Sequence, residues 1–370
     1  MTLDADVAVI GGGIAGASIA WAVAPHAKVV ILEAEDGVGY HSTGRSAAIQ
    51  TQTYAGQTIR QLTRAAGAIL DDEFAGNKGL LHDRGLLWVA TAGQEADLAR
   101  LTDSVADGIA TQAISSQDAR QICPALRPGA CIGAIYERDA KAIDVDVLHQ
   151  EFLQRARSHG AAVITNCRVE RIAHEGPTWI LQAKDHTVRA THLVDAAGAW
   201  ADQVAAMAGV PPAGLTPLRR TAFLFPAPAG NGHTQWPFTI DVGETWYFEP
   251  QGPVLLGSNC DEHPDIPSDV RAEDIDVAEA IEKINALTSL DVRRVLKQWA
   301  GLRTFAPDRA PVIGPDPDAP RFHWYAGLGG FGIMTAAAVG RIVAAGVLGL
   351  QESGWSAGVA SRCSVSRLRR

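Results

Sequence analysis

The chain has 370 residues, 47% of them apolar and 20% charged, a balance that sets aside disorder and suits about two globular domains. Its formal net charge of −9, with basic residues scattered, excludes a polyanion-binding surface, which needs clustered Lys and Arg. The 37 glycines show no triplet period, so they mark sharp turns or close ligand approach rather than a collagen-like repeat.

In chain order, residues 6–10 (Asp-Val-Ala-Val-Ile) read as a short buried strand that runs into Gly11-Gly12-Gly13-Ile14-Ala15-Gly16. A helical apolar stretch follows to about Val23, and a second strand over 28–32 ends at Glu33. Strand, glycine turn, helix, strand and acid in this order form a dinucleotide fingerprint. Gly11 permits the tight turn, Gly13 lets backbone approach a pyrophosphate, and Gly16 lets helix and sheet pack closely. Amides at the helix start face the diphosphate, and Glu33 accepts from a ribose diol. FAD is favoured over NAD because the motif lies so near the first residue. Residues 7–24 have the length of a marginal membrane span. Asp4 and Asp6 stand where a signal peptide needs Lys or Arg, so the export reading is set aside and a cytoplasmic location without a transmembrane segment is expected.

Residues 37–48 (Gly-Val-Gly-Tyr-His-Ser-Thr-Gly-Arg-Ser-Ala-Ala) supply small residues, hydroxyls and one Arg. That suits a loop along a diphosphate and beneath a flat ring, or equally a surface turn. Residues 85–90, 219–225, 245–249 and 254–257 read as strands, with Pro- and Gly-rich connectors at 211–217 and 226–232. Residues 193–200 (Leu-Val-Asp-Ala-Ala-Gly-Ala-Trp) form a strand ending in small residues, fit to abut a ligand at a sheet's carboxyl edge. Residues 324–335 repeat strand, glycine turn and alanine-rich helix, whose N-terminus can stabilise negative charge. The five cysteines lack a C-x-x-C pair and read as free thiols in a reducing compartment. The eleven histidines form no metal spacing, so no metal is expected. The basic cluster Arg362, Arg367, Arg369 and Arg370 reads as a short frayed tail.

Together these stretches resemble the FAD-dependent D-amino-acid oxidase and dehydrogenase family, which also holds glycine and sarcosine oxidases. The shared pieces are the glycine fingerprint with Glu33, YHSTGRSAA at 40–48, IDVDVLHQ at 143–150, DAAGAWAD at 195–202, WAGLRTF at 299–305 and GLGGFGIMTAA at 327–337. Within the family the likeness is nearest to the bacterial D-arginine dehydrogenases. The resemblance implies an α/β fold: a Rossmann-type FAD-binding domain (1–80, 141–215 and 300–370) interleaved with an α+β substrate domain on an antiparallel sheet (81–140 and 216–299). It further implies oxidation of a D-amino acid at the Cα–N bond, the Cα hydrogen leaving as hydride to flavin N5.

Site residues follow from the same resemblance. For FAD they are Gly11, Gly13, Ile14, Ala15, Gly16, Glu33, Ala34, Ser42, Thr43, Arg45, Ser46, Ala47, Ala48, Val169, Ala197, Gly198, Trp200, Gly329, Gly330, Phe331, Gly332, Ile333, Met334 and Thr335. For the substrate, Arg303 is the carboxylate clamp, since a guanidinium meets a carboxylate through two parallel hydrogen bonds. Tyr247 helps hold the carboxylate, Arg220 is a second pocket arginine, Tyr54 an active-site tyrosine, and the Gly330 carbonyl receives the amine. Two departures stand out: Leu86 occupies the place of the glutamate that receives a guanidinium, and Ile49 replaces a loop histidine. An unpaired cation beside Leu86 would cost several kcal/mol, which points to a neutral or hydrophobic substrate side chain. Residues 304–330 hold no cysteine, so FAD is expected to bind without a covalent link. Sarcosine-type N-alkyl amino acids, glycine, 2-hydroxy acids or a non-catalytic flavoprotein remain alternatives, and the electron acceptor (oxygen, quinone or other) is open. An NAD-dependent dehydrogenase is disfavoured, having no use for the glycine-turn helix near residue 332.

Overall fold

The computed structural model describes residues 1–105, 109–230, 232–351 and 354–369. Strand β1 (Thr2–Ile10), helix α1 (Ile14–Val23) and strand β2 (Val29–Leu32) realise the expected strand–turn–helix–strand unit. The apolar run 7–24 is thus the end of β1, the turn and α1, and among the described residues no helix is long and apolar enough to cross a membrane. β1 starts four residues before the expected strand, because its first half pairs with Thr187–Ala190 of the long strand His186–Asp195. Five strands run parallel in the order Phe322–Ala326, His186–Asp195, β1, β2 and Ala162–Ile164. Val312–Pro315 joins antiparallel at one edge, and a hairpin of Arg171–Glu175 and Thr178–Ala183 completes the eight-stranded sheet. α1 is buried nearly all round, because it packs on this sheet between Val145–Ser158 and Gly332–Val347. Its alanines and Gly16 permit that close approach.

A nine-stranded sheet forms the second layer system. Its pairs are antiparallel except for Phe238–Asp241 against Leu86–Ala90, which run parallel. Alternation sorts its two faces. Leu87, Val89, Phe223, Phe225 and Phe248 pack with Val277 and Ile284 of the helix Asp274–Leu287. Leu86, Trp88, Ala222, Ile240 and Tyr247 form the other cluster, and they line a cavity that extends to the glycine turn after β1. The four expected strands appear as Leu86–Ala90, Thr216–Pro226, Tyr247–Gln251 and Val254–Ser258. Strand Lys297–Phe305 pairs with Thr216–Pro226 along nine residues, running through position 300, where the sequence reading sets a domain boundary.

The C-terminal segment is not frayed, contrary to the sequence reading. Helix Gly354–Cys363 and the 3-10 turn Val365–Leu368 bury Cys363 and Val365. Arg367 donates to both carboxylate oxygens of Asp308 at 2.6 and 2.9 Å, and Arg369 meets the buried Asp316 at 2.6 Å. Arg362 donates to the Thr58 hydroxyl at 3.1 Å; Arg370 lies outside the described residues.

Candidate functional site

A cavity of about 310 Å³ follows the carboxyl edge of the parallel strands from Glu33 to the face of the nine-stranded sheet that carries Tyr247. Its first end is made of backbone. Gly11 holds φ +104°, and a Cβ there would stand 2.5 Å from the Ala196 carbonyl oxygen. A Cβ on Gly16 would stand 1.9 Å from the Gly11 carbonyl oxygen, so the helix can start this close to the strand only without a side chain. The Ile14 N–H donates to Thr43 Oγ1 at 3.0 Å. Glu33 accepts from the Gly12 N–H at 2.7 Å and from the Glu35 N–H at 2.9 Å, leaving each oxygen a lone pair for a further donor such as a sugar hydroxyl. The His149 ring Nε2 lies 2.9 Å from the Gly12 carbonyl oxygen, and burial depresses the His149 pKa, so the neutral ring donates there.

Of the expected cofactor residues, all but Gly16, Phe331 and Thr335 border this cavity. Gly16 sits beneath the turn, the Thr335 hydroxyl donates back to the Phe331 carbonyl at 2.8 Å, and Phe331 turns toward a neighbouring cavity of about 400 Å³. Arg45 borders the cavity and is also held from outside it. Its guanidinium donates to the Ala300 and Val270 carbonyls at 2.9 and 3.2 Å and pairs with Asp269, fastening loop 37–48 to the nine-stranded sheet. Ser42 and Trp299 repeat the fastening, through Ser42 Oγ to the Leu302 carbonyl at 2.6 Å and Trp299 Nε1 to the Arg45 carbonyl at 3.1 Å.

At the far end Arg303, Tyr247, Tyr54, Arg220 and Gly330 border one space, together with Leu86 and Ile49. Arg303 stands on the strand Lys297–Phe305 and lies against Gly330, where a Cβ would fall 2.8 Å from its Nη1. Gly329 precedes it at φ +53°, packed so tightly on Phe305 that a Cβ would come within 2.2 Å of the ring. Burial works against the Arg303 charge, but a guanidinium is too basic to lose its proton at neutral pH, and a hydrogen bond with Tyr54 supports the cation. Burial pushes the Tyr247 phenol up to about 12 and the Tyr54 phenol higher still, so both hydroxyls remain donors at neutral pH. Tyr54 also hydrogen-bonds Glu244, whose pKa burial raises. Arg220 is 8% exposed; its Nε donates to the Asp261 carbonyl at 2.8 Å and Nη2 to Glu262 at 3.3 Å, which fixes its plane. A fixed guanidinium with phenolic donors suits a carboxylate, and the glycine turn with its helix N-terminus suits a diphosphate, so the residues fit a flavin dinucleotide.

The walls of this far end were incompletely read from sequence. Trp88, Phe238, Ile240, Ala222 and Cys260 also line it. Alternation from Leu86 identifies Trp88, two residues along the same strand. No local pattern marked Phe238–Asp241, a four-residue strand between Pro237 and the turn at Gly243. Phe238 stacks on Tyr247 with ring centroids 4.8 Å apart. His149 falls within the quoted IDVDVLHQ stretch, but nothing in that stretch alone assigns it to the glycine turn.

Comparison with known proteins agrees with this geometry. The chain is 24% identical to a glycine oxidase of Bacillus licheniformis, covering 93% of each chain. It is 23% identical over 93% of its length to the mitochondrial dimethylglycine dehydrogenase of Mus musculus, of which it spans only 42%. Its fold matches crystal structures of a glycine oxidase from Geobacillus kaustophilus (TM-score 0.86, 22% identity, 99% of both chains) and an L-proline dehydrogenase from P. horikoshii (TM-score 0.87, 21% identity, 100% of this chain and 99% of that one). A family model described as FAD dependent oxidoreductase matches residues 6–345. The chain therefore belongs to the FAD-dependent oxidoreductase family that includes the amino-acid oxidases, and its cofactor is FAD.

Proposed function

We propose that the chain oxidises the Cα–N bond of a D-amino acid with a neutral or hydrophobic side chain, yielding the imino acid, with FAD held non-covalently. The observation that carries this reading is the pairing of two guanidinium groups, Arg303 and Arg220, with an apolar wall of Leu86, Trp88, Phe238 and Ile240 in a single space. Bound FAD would supply the two-electron acceptor for the Cα hydrogen. Arg303 grips the substrate carboxylate through two parallel hydrogen bonds, and the Tyr247 hydroxyl donates to the same group. Because both tyrosines stay protonated, they orient rather than take protons. The Gly330 carbonyl accepts from the amine, so carboxylate and nitrogen are held at two points and Cα is presented in one orientation. The resemblance of the motifs to those of D-arginine dehydrogenases supports the D configuration, while Leu86 argues against their substrate. Division of the chain into a cofactor unit (1–80, 141–215, 300–370) and a substrate unit (81–140, 216–299) belongs to the same proposal. So does a reducing, cytoplasmic setting, supported by five free cysteines.

A second reading, glycine and its N-alkyl derivatives, is favoured by the names of relatives: a dimethylglycine dehydrogenase, a sarcosine dehydrogenase and a glycine oxidase. Such small substrates would leave the apolar wall without contact. Anaerobic bleaching of the flavin's visible band decides between the readings. D-Leu or D-Phe should bleach it with kcat/KM about 100-fold above D-Arg, the factor for leaving a guanidinium unpaired at about 3 kcal/mol. Faster reduction by sarcosine or N,N-dimethylglycine would install the second reading, and acid precipitation that retained yellow colour would overturn non-covalent binding.

A further inference from the structure

Tyr54 reaches the substrate space from loop 46–56, whose regular structure is limited to Ile49–Gln50 against Lys141–Ile143. A single buried carboxylate gathers the residues before it. Glu137 closes the strand Gly133–Glu137, opposite Leu86, and is 4% exposed. Its Oε1 accepts the Gln52 N–H at 2.8 Å, while Oε2 accepts the Thr53 hydroxyl at 2.7 Å and the Thr51 hydroxyl. Those hydroxyls are themselves received in turn. Thr51 Oγ1 accepts the Thr53 N–H at 3.1 Å, and Thr53 Oγ1 accepts Trp88 Nε1–H at 2.9 Å. Arg60 Nη2 donates to the Thr53 carbonyl at 3.3 Å, and the Glu137 charge supports the Arg60 cation against its partial burial.

We propose that Glu137 is a positioning residue: by gathering Thr51, Gln52 and Thr53 it sets Tyr54 beside Arg303. The inference rests on the reading of Tyr54 as a substrate contact. Three points argue for this role. A buried carboxylate is costly unless its lone pairs are filled, and here three consecutive residues fill them. Among the described residues the aromatic neighbours of the Tyr54 ring are Trp88 at 5.9 Å and Phe331 at 5.4 Å, and its hydroxyl meets Glu244; these hold the side chain and leave the preceding backbone to be fixed by other groups. Ala55 then turns the chain at φ +63° into the helix Gln57–Glu73, which leaves residues 51–53 as the anchor on the other side. Although Glu137 stands across from Leu86, its oxygens are engaged by the loop and it does not border the cavity, so it offers no acceptor to a cationic substrate.

The test uses the full-length, FAD-loaded protein. Glu137→Gln should raise KM for the best D-amino acid about tenfold, the worth of about one net hydrogen bond, while flavin reduction at saturation changes less and FAD content stays constant. Combined with Tyr54→Phe, the two effects should fall short of their product, because both act on one contact. Amide hydrogen exchange over residues 51–54 should quicken in Glu137→Gln and, to a smaller extent, in Thr53→Val. Fully multiplicative effects would overturn the positioning role, and unchanged exchange in both variants would overturn the anchor itself. Were no amino acid to bleach the wild-type flavin, the proposed function would fail, yet the exchange measurement would still decide the anchor.

Discussion

The two ends of the cavity are built from different parts of the polypeptide. At the Glu33 end the surface is main chain: a glycine turn without room for a Cβ, a helix N-terminus, and small residues closing the strand at Ala196. At the Arg303 end it is side chain, drawn from strands far apart in sequence, with Leu86 beside Phe238 and Arg220 beside Gly301. Main-chain sites tolerate few residue types at fixed spacing and serve any substrate. Side-chain sites accept many residues, and under the proposed function the choice there sets which substrate is turned over. Cofactor identity and substrate identity are therefore separable properties of this molecule, although they share one cavity.

That separation can be broken most severely at Gly16. Gly16→Ala places a Cβ 1.9 Å from the Gly11 carbonyl, and the purified variant should be colourless or insoluble, read by its flavin-to-protein absorbance ratio. Arg303→Lys should keep its FAD but lose about 10²- to 10³-fold in kcat/KM, since an ammonium cannot make the bidentate contact (about 3–4 kcal/mol). A colourless Arg303→Lys protein would show that the two ends are not separable. Glu249, buried on the Tyr247 strand, sharpens the contrast through pH. Burial pushes its carboxyl up from 4.5 to about 7, against the opposing pull of Arg84. The folded state therefore holds this proton more tightly than the unfolded chain, and stability falls as pH rises from about 4.5 to about 7, then levels. The loss is about 3 kcal/mol; Glu249→Gln should flatten that part of a Tm-against-pH curve, and an unchanged slope would refute the assignment. Tyr247→Phe is the mildest, about tenfold in KM, one hydrogen bond to a charged group.

The same contrast explains what was legible in the sequence. The glycine turn and Glu33 were readable because backbone geometry restricts residue type, and four strands of the second sheet were readable from their β-branched and aromatic runs. Arg303, Tyr247 and Leu86 were found by likeness to a family rather than by local pattern, since nothing in their neighbours marks them. Phe238 and Ile240 escaped because their strand takes its partner from residues 86–90, a pairing no local window contains. The protein contacts of Arg45 were hidden for a related reason. Its carbonyl and carboxylate partners lie at 269, 270 and 300, so only the folded chain shows its guanidinium to be occupied. The tail reading failed likewise, because Asp308 and Asp316 receive Arg367 and Arg369 from more than fifty positions away.

The nine-residue ladder between Lys297–Phe305 and Thr216–Pro226 has a practical meaning for anyone recombining relatives of this chain. A chimera joined at position 300 would take Trp299 from one parent and Arg303 from the other, splitting a strand whose register aligns both. Crossovers placed before Lys297 or after Phe305 keep that strand whole. Grafts exchanging the nine-stranded sheet should accordingly carry Arg303 along with it, even though the sequence reading assigns residues from 300 onward to the FAD-binding domain.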